Sequence, residues 1–153
     1  PNYRAPLWNS VEEAKEQMRS MIPYADIMKI SDEETALLTD YSDPKEAAQA
    51  LLDQGVACVV VTLGKDGALL KTAQVEIVEK GKERKGGDTT GAGDSFGGGM
   101  LARFAKDGIS PAEITEEKAH EYVRFANAVA GLCVEKRGAI PAMPTLEQVL
   151  AEL

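Results

Sequence analysis

The stretch Gly86-Gly87-Asp88-Thr89-Thr90-Gly91-Ala92-Gly93-Asp94-Ser95-Phe96 brings together, at close spacing, the residue types that phosphate chemistry needs. Two glycines bracket an alanine and lead into an aspartate, and the apolar run Met100-Leu101-Ala102 follows within two turns. That order predicts a loop that becomes a helix. A helix start presents N–H groups without intrahelical partners and the positive end of the peptide dipole, so it favours an anion. Glycine lets the backbone come close to a ligand because no Cβ intervenes. An aspartate in such a cradle is out of place unless the cradle holds a phosphate while the carboxylate handles a proton. The plain alternative is Asp94 as an N-cap behind a flexible loop.

At 153 residues the chain is long enough for one domain with a core. It is 44% apolar, has few aromatics and carries a formal charge of -8. No block of Lys and Arg offsets that acidity, which argues against a nucleic-acid partner or an anionic membrane surface. No run of some 18 apolar residues and no charged-then-apolar leader is present in the sequence. Cys58 and Cys133 sit in apolar surroundings without a CxxC pattern, as expected of two reduced, buried thiols in a cytoplasmic protein. One histidine and no cysteine cluster speak against a structural zinc site. The sequence opens on Pro1 rather than methionine, and the expectation is a piece of something longer.

Elements that would position the motif can be read in order. Ser10-Val11-Glu12-Glu13 is a capping box for a helix running to Pro23. Asp26 to Ile30 reads as a short strand, and Ser31-Asp32-Glu33-Glu34 is a second capping box before Leu37 and Leu38. Asp43-Pro44-Lys45-Glu46 starts a helix that Gly55 stops. Cys58 to Leu63 is a continuous β-branched run, as in a strand buried on both faces. Gly64-Lys65-Asp66-Gly67 is turn chemistry, with Ala68 to Thr72 pairing back and Val75 to Val78 as an edge strand. Lys80 to Gly87 reads as a polar loop. A helix from the motif to about Phe104 ends near Gly108. The stripe Ala119, Tyr122, Val123, Ala126, Val129, Ala130 and Cys133 predicts a second long helix packed on the core. Lys136 to Thr145 is a loop, and Leu146 to Leu153 a closing helix. Helix and strand alternate, which argues for an α/β fold with a parallel core sheet.

With these elements in place, Asp88 to Phe96 resembles the second signature of the ribokinase-like (PfkB) carbohydrate kinases. Four other segments agree, in the same order. Pro1-Asn2-Tyr3-Arg4 with Leu7-Trp8 resembles the DxNxRxxLW segment of the fructokinase and ketodeoxygluconate kinase branch. Lys29 to Glu34 is similar to the NxxE region in its fructokinase form, Thr62 to Gly67 to the nucleotide-side TLGxxG turn, and Lys136 to Pro144 to the loop after the adenine-flanking helix. The resemblance covers nearly all of residues 1–153, as the C-terminal portion of a PfkB domain. The expected fold is therefore a partial ribokinase-like domain, three-layer α/β/α with a mostly parallel sheet. On this resemblance the expectation is that residues 1–153 do not include the family's sugar-binding half and β-sheet lid.

The resemblance implies ATP as phosphate donor and Mg²⁺ as its companion ion. It makes Asp94 the base that takes the proton from a sugar hydroxyl, with the N–H groups of Gly91, Ala92, Gly93 and Asp94 as the anion hole. Glu34 would help organise hydrated Mg²⁺, or serve only as the partner in the Ser31 capping box. Thr62, Gly64 and Gly67 would contact nucleotide, or form an ordinary hairpin turn. Asn127 falls where the family packs adenine, though a polar helix flank explains it nearly as well. Asp88 and Thr90, with the loop holding Lys136, Gly138 and Ala142, match positions that bind a monovalent cation such as K⁺ in relatives. Asn2 and Arg4 are the remaining sugar-side candidates, and His120 reads as a solvated helix residue.

Two departures bear on this reading. The family's apolar strand into the signature is replaced by Lys82-Glu83-Arg84-Lys85-Gly86-Gly87, and Gly97-Gly98-Gly99 places three poor helix formers in the catalytic helix. Both predict a looser cradle. The sequence favours a fructokinase, with 2-keto-3-deoxygluconate as the alternative substrate, whose carboxylate would suit Arg4. A reading of another class is a non-catalytic nucleotide- or phosphate-binding fragment. A homodimer is expected only of a full-length form.

Overall fold

A computed structural model describes residues 1–82, 84 and 88–153. The expected Gly86-Gly87 entry to the motif, together with Glu83 and Lys85 of the charged approach, lies outside the described residues.

Among the described residues six α-helices and four strands carry the architecture: α1 (Val11–Arg19), β1 (Ile27–Ser31), α2 (Thr35–Thr39), α3 (Pro44–Asp53), β2 (Cys58–Thr62), β3 (Ala68–Lys71), β4 (Glu76–Glu79), α4 (Ala92–Asp107), α5 (Glu116–Val134) and α6 (Leu146–Glu152). The helix starts follow their side-chain chemistry. Ser10 accepts from the Glu13 N–H, Asp43 from the Lys45 and Glu46 N–H groups with Pro44 in the first turn, and Thr115 from Lys118. Thr145 and Gln148 form a reciprocal capping box at α6. The first helix is shorter than expected: it stops at Arg19, and Pro23 falls in a separate 3-10 turn, Ile22–Tyr24.

The strands form one sheet in the order β1-β2-β3-β4. β1 and β2 are parallel, with Ile27 opposite Cys58 and Ser31 opposite Thr62; β2–β3 and β3–β4 are antiparallel. The mostly parallel sheet expected above is thus not what these four strands make. The cause is the connections: α2 and α3 provide the long crossover a parallel pair requires, whereas the turn at Gly64–Asp66 can join only antiparallel neighbours.

The three-layer α/β/α arrangement is present, because β1, β2 and β3 alternate their apolar residues between two cores. Cys58, Val60, Ala68, Leu70 and Ile77 face Phe96, Met100 and Phe104 of α4 and Tyr122, Val123 and Ala126 of α5. Met28, Ile30, Val59, Val61 and Leu69 face Ile22, Leu38, Ala48 and Leu51 on the opposite side. Fully burying one such side chain stabilises by roughly 1.5–3 kcal/mol. Phe104 and Tyr122 meet edge to face, 5.0 Å between centroids, and the Tyr122 hydroxyl donates to Asp107 at 2.7 Å.

Two glycines are required by close approach. A Cβ on Gly67, whose φ is +96°, would fall 1.9 Å from the Glu79 carbonyl oxygen and 2.5 Å from the Gly81 nitrogen, so the Gly64–Gly67 turn lies directly on the chain leaving β4. A Cβ on Gly99 would come 3.2 Å from the Ala126 Cα. This glycine lets α4 and α5 pack closely, and the run that looked like a helix weakness is in part a packing device. Gly97 and Gly98 have open space instead. Among the described residues no helix is long and apolar enough to cross a membrane.

Candidate active site

The centre of the site is the entry to α4. Gly91 is its N-cap at φ +79°, and a Cβ there would lie 2.7 Å from the Ala139 Cβ, so both backbone twist and the neighbouring loop demand glycine. The Gly91 carbonyl accepts from the Ser95 N–H at 2.8 Å. The Ala92 N–H donates to the Thr89 carbonyl at 3.1 Å, which corrects the expected four-amide anion hole: closing the turn consumes that donor. The N–H groups of Gly91, Gly93 and Asp94 have no backbone partner among the described residues, and they remain the candidate donors.

Asp94 is exposed and lines a cleft of about 390 Å³ together with Pro1, Ile27, Lys29, Gly93, Gly97, Gly98 and Leu101. The absent side chains of three glycines hollow out the helix face of this cleft. Lys29, in the middle of β1, reaches across it. Its Nζ would sit 2.8 Å from a Cβ on Gly93, and it makes no ion pair among the described residues. The sequence marks Lys29 only as part of a strand and motif. Sixty-four positions separate it from Gly93, and only the strand-to-helix packing brings them together. A lone cation in a strand next to a capping box was the available signal.

Pro1 in the cleft wall brings the N-terminal segment to the same place. Tyr3 N–H donates to Glu34 Oε1 at 3.0 Å, while Ser31 N–H donates to Glu34 Oε2 at 3.0 Å. Both oxygens of this buried carboxylate therefore hold backbone amides, one from each side. Asn2 and Arg4 are exposed, and Arg4 Nη1 donates to the Tyr3 carbonyl at 2.9 Å rather than to a carboxylate.

Asp88 closes the other side of the cradle. Its carboxylate accepts from the Thr90 N–H at 3.0 Å and from the Gly138 N–H at 2.8 Å. The Gly138 amide above all, and then Thr90, hold its pKa down at about 2 from an ordinary 3.8. Asp88, Thr90 and Gly138 are thus gathered as expected, and Ala142 lies buried in the 3-10 turn Ile140–Ala142 just beyond. Among the described residues no group of three or more His, Cys, Asp or Glu side chains could hold a metal ion.

Of the nucleotide-side candidates, Gly67 and Asn127 both meet residues 79–81. Gly67 lies against that backbone, and Asn127 Nδ2 donates to the Glu79 carbonyl at 3.3 Å. Thr62 Oγ1 donates to the Ile30 carbonyl at 3.3 Å, and Gly64 is at φ +58° with open space beside it. Asn127 lines a second, smaller cleft of about 130 Å³ with Lys80, Lys82, Arg84 and Arg124. His120, expected to be solvated, instead faces Glu79, with Nδ1 2.6 Å from its Oε1.

Known proteins are similar to this chain. The Solanum habrochaites protein Fructokinase-2 is 39% identical over 154 residues, covering 100% of this chain and 46% of that protein. The crystal structure of Vibrio cholerae O395 fructokinase with fructose, ADP and calcium ion superposes at a TM-score of 0.84 and 35% identity, over 99% of this chain and 48% of that one. Fructokinase from Xylella fastidiosa with bound ATP superposes at 0.86 and 29% identity, over 98% and 49%. The chain spans about half the length of the relatives it matches. Its half carries the ribokinase-like layers described above, and the pfkB family carbohydrate kinase profile matches residues 1–146. The chain belongs to the pfkB family of carbohydrate kinases.

Proposed function

We propose that this chain is the C-terminal, phosphate-transferring portion of an ATP-dependent sugar kinase, with fructose as acceptor and fructose 6-phosphate as product. The observation that carries the reading is the convergence of the unpaired Gly93 and Asp94 N–H groups, the Asp94 carboxylate and the Lys29 ammonium on one cleft.

Each group has a role in phosphoryl transfer. Asp94 accepts the proton of the attacking sugar hydroxyl as the bond to the γ-phosphorus forms and the bond to the β-phosphate oxygen breaks. The Gly93 and Asp94 amides and Lys29 stabilise charge on the transferring phosphoryl oxygens, and they are already in position before reaction. Thr62, Gly64, Gly67 and Asn127 line the course of the nucleotide. Asn2 and Arg4 stand on the sugar side, with Pro1 already at the cleft.

The cradle fits a phosphate, since a Cβ at Gly93 would fill the space beside Lys29. Mg²⁺ would neutralise charge between the β- and γ-phosphates. Direct ligation by Glu34 does not fit, because both its oxygens accept backbone amides; its remaining lone pairs suit a contact through water. A monovalent cation beside Asp88 would meet a carboxylate already engaged by two amides, so backbone carbonyls of the 136–142 loop would supply most of its ligands. A double mutant of the Vibrio cholerae fructokinase, similar at a TM-score of 0.84 and 34% identity, was crystallised with fructose, ADP and potassium ion.

The test is coupled ADP release by the protein that carries this chain, with fructose, ribose and 2-keto-3-deoxygluconate compared. Fructose should give the highest kcat/KM. Preference for ketodeoxygluconate would move the assignment to the alternative substrate, and no sugar-dependent ADP release would leave only a phosphate-binding module.

A further inference from the structure

Three side chains of α5 converge on one residue at the end of β4. His120, Arg124 and Asn127 are spaced i, i+4 and i+7, so they share a helix face. His120 Nδ1 lies 2.6 Å from Glu79 Oε1, and because an ionised carboxylate only accepts, Nδ1 carries the hydrogen. Arg124 Nε stands 3.7 Å from the same oxygen, and Asn127 Nδ2 donates to the Glu79 main-chain carbonyl at 3.3 Å. The Glu79 side chain is 20% exposed, so water competes less for it than for an open surface pair. The same residue meets the Gly64–Gly67 turn with its main chain. Glu79 is opposite Ala68 in the β3–β4 pairing, and its carbonyl oxygen occupies the place of a Cβ on Gly67. Gly81 completes the contact, since a Cβ there would come 3.2 Å from the Lys65 carbonyl oxygen and 3.5 Å from the Gly67 Cα. Glu79, Arg124 and Asn127 all line the cleft of about 130 Å³.

Resting on the kinase reading above, we propose that Glu79 is a positioning residue for the nucleotide: its carboxylate is fastened to α5 through His120 and Arg124, its main chain supports the Gly64–Gly67 turn, and it thereby sets the distance between that turn and Asn127. Every link is a direct contact between described residues. The approach of Gly67 and Gly81 leaves no side chain between the two backbones to absorb a displacement, so a shift of residue 79 passes to the turn. A ligand that touches both walls binds best when their spacing is fixed beforehand, because less ordering is left to the binding step. The carboxylate also decides where Arg124 stands in the cleft wall; that side chain is 60% exposed and would turn to solvent without it. His120 acts in this arrangement as a strut between α5 and β4.

The experiment compares the wild-type chain with Glu79→Ala, His120→Leu and His120→Asn by amide hydrogen exchange and by MgADP titration calorimetry. The turn is read at the amides of Leu63, Asp66 and Gly67, which bond within it. Glu79→Ala should raise their exchange about tenfold, leave the Val59–Val61 amides unchanged, and weaken MgADP binding about tenfold. His120→Leu should give a smaller change in the same direction. His120→Asn, whose amide nitrogen can take the place of Nδ1 as donor, should return both readouts close to wild type. Unchanged exchange in the turn, or an equal rise in β2, would overturn the proposal, because Glu79 would then support stability alone. Faster exchange in the turn with unchanged MgADP affinity would overturn the link to the nucleotide. If Glu79→Ala fails to fold, the His120→Leu and His120→Asn pair decides by the same readouts. Absence of MgADP binding by the wild-type chain would count against the kinase reading, while the exchange measurement would still decide whether Glu79 holds the turn.

Discussion

The Lys29 ammonium stands where a side chain on residue 93 would have to go: a Cβ on Gly93 would lie 2.8 Å from Nζ. A cation from the sheet and a bare backbone from the helix thereby share one small space, which an anionic oxygen can enter from the open cleft. Lys29→Met should weaken binding of a MgATP analogue by about tenfold or more, since hydrogen bonds to charged groups contribute roughly 1.5–3 kcal/mol. Titration calorimetry reads this, and thermal unfolding should stay close to wild type because Lys29 has no ion pair to lose among the described residues.

Asp94→Asn should leave the fold intact and lower kcat by about 10²- to 10⁴-fold, the range expected for loss of a general base. Circular dichroism checks the first half and sugar-dependent ADP release the second. Near-normal turnover in the variant would remove Asp94 from its assigned role.

Glu34 offers a test of structure against metal organisation. Its two oxygens satisfy the Tyr3 and Ser31 amides, so Glu34→Gln leaves one of those donors facing an amide NH₂. The cost should be about 1–3 kcal/mol. For a chain of this size that lowers Tm by roughly 2–4 °C per kcal/mol, readable by scanning fluorimetry without any ligand. An unchanged Tm would mean that the N-terminal segment is not held by this carboxylate.

The Asp88 anchor should respond to pH. Its folded pKa of about 2 lies below the ordinary 3.8, so the anchor is fully present above pH 4 and is lost as pH falls from about 4 towards 2. The amide resonance of Gly138 should report this, shifting through that window in the wild type. In Asp88→Asn the shift should be absent and Gly138 exchange faster at neutral pH.

Much of the chain's organisation was legible because it is local. The capping residues Ser10, Asp43, Thr115 and Thr145 announce helix starts through side chains one turn away, and the β-branched run at Cys58–Thr62 announces a central strand. The motif at Gly91–Asp94 was legible for the same reason. What stayed hidden depends on packing between distant segments. The pairing of His120 with Glu79, the use of Glu34 by the Tyr3 amide, and the reach of Lys29 to Gly93 are separated by 41, 31 and 64 positions respectively. Ala92 shows a subtler limit: the sequence marks a turn, but only the dihedral angles decide which amide closes it.

β1 has a neighbour on one flank only among the described strands, and Lys29 is its central residue. An outer strand with apolar residues and unpaired N–H and C=O groups is adhesive toward other chains, and a cleft-facing lysine in its middle is one deterrent to such accretion. In this chain the lysine proposed to meet phosphate would also be a deterrent to such pairing. Its removal should be felt during expression and storage, before any nucleotide is added.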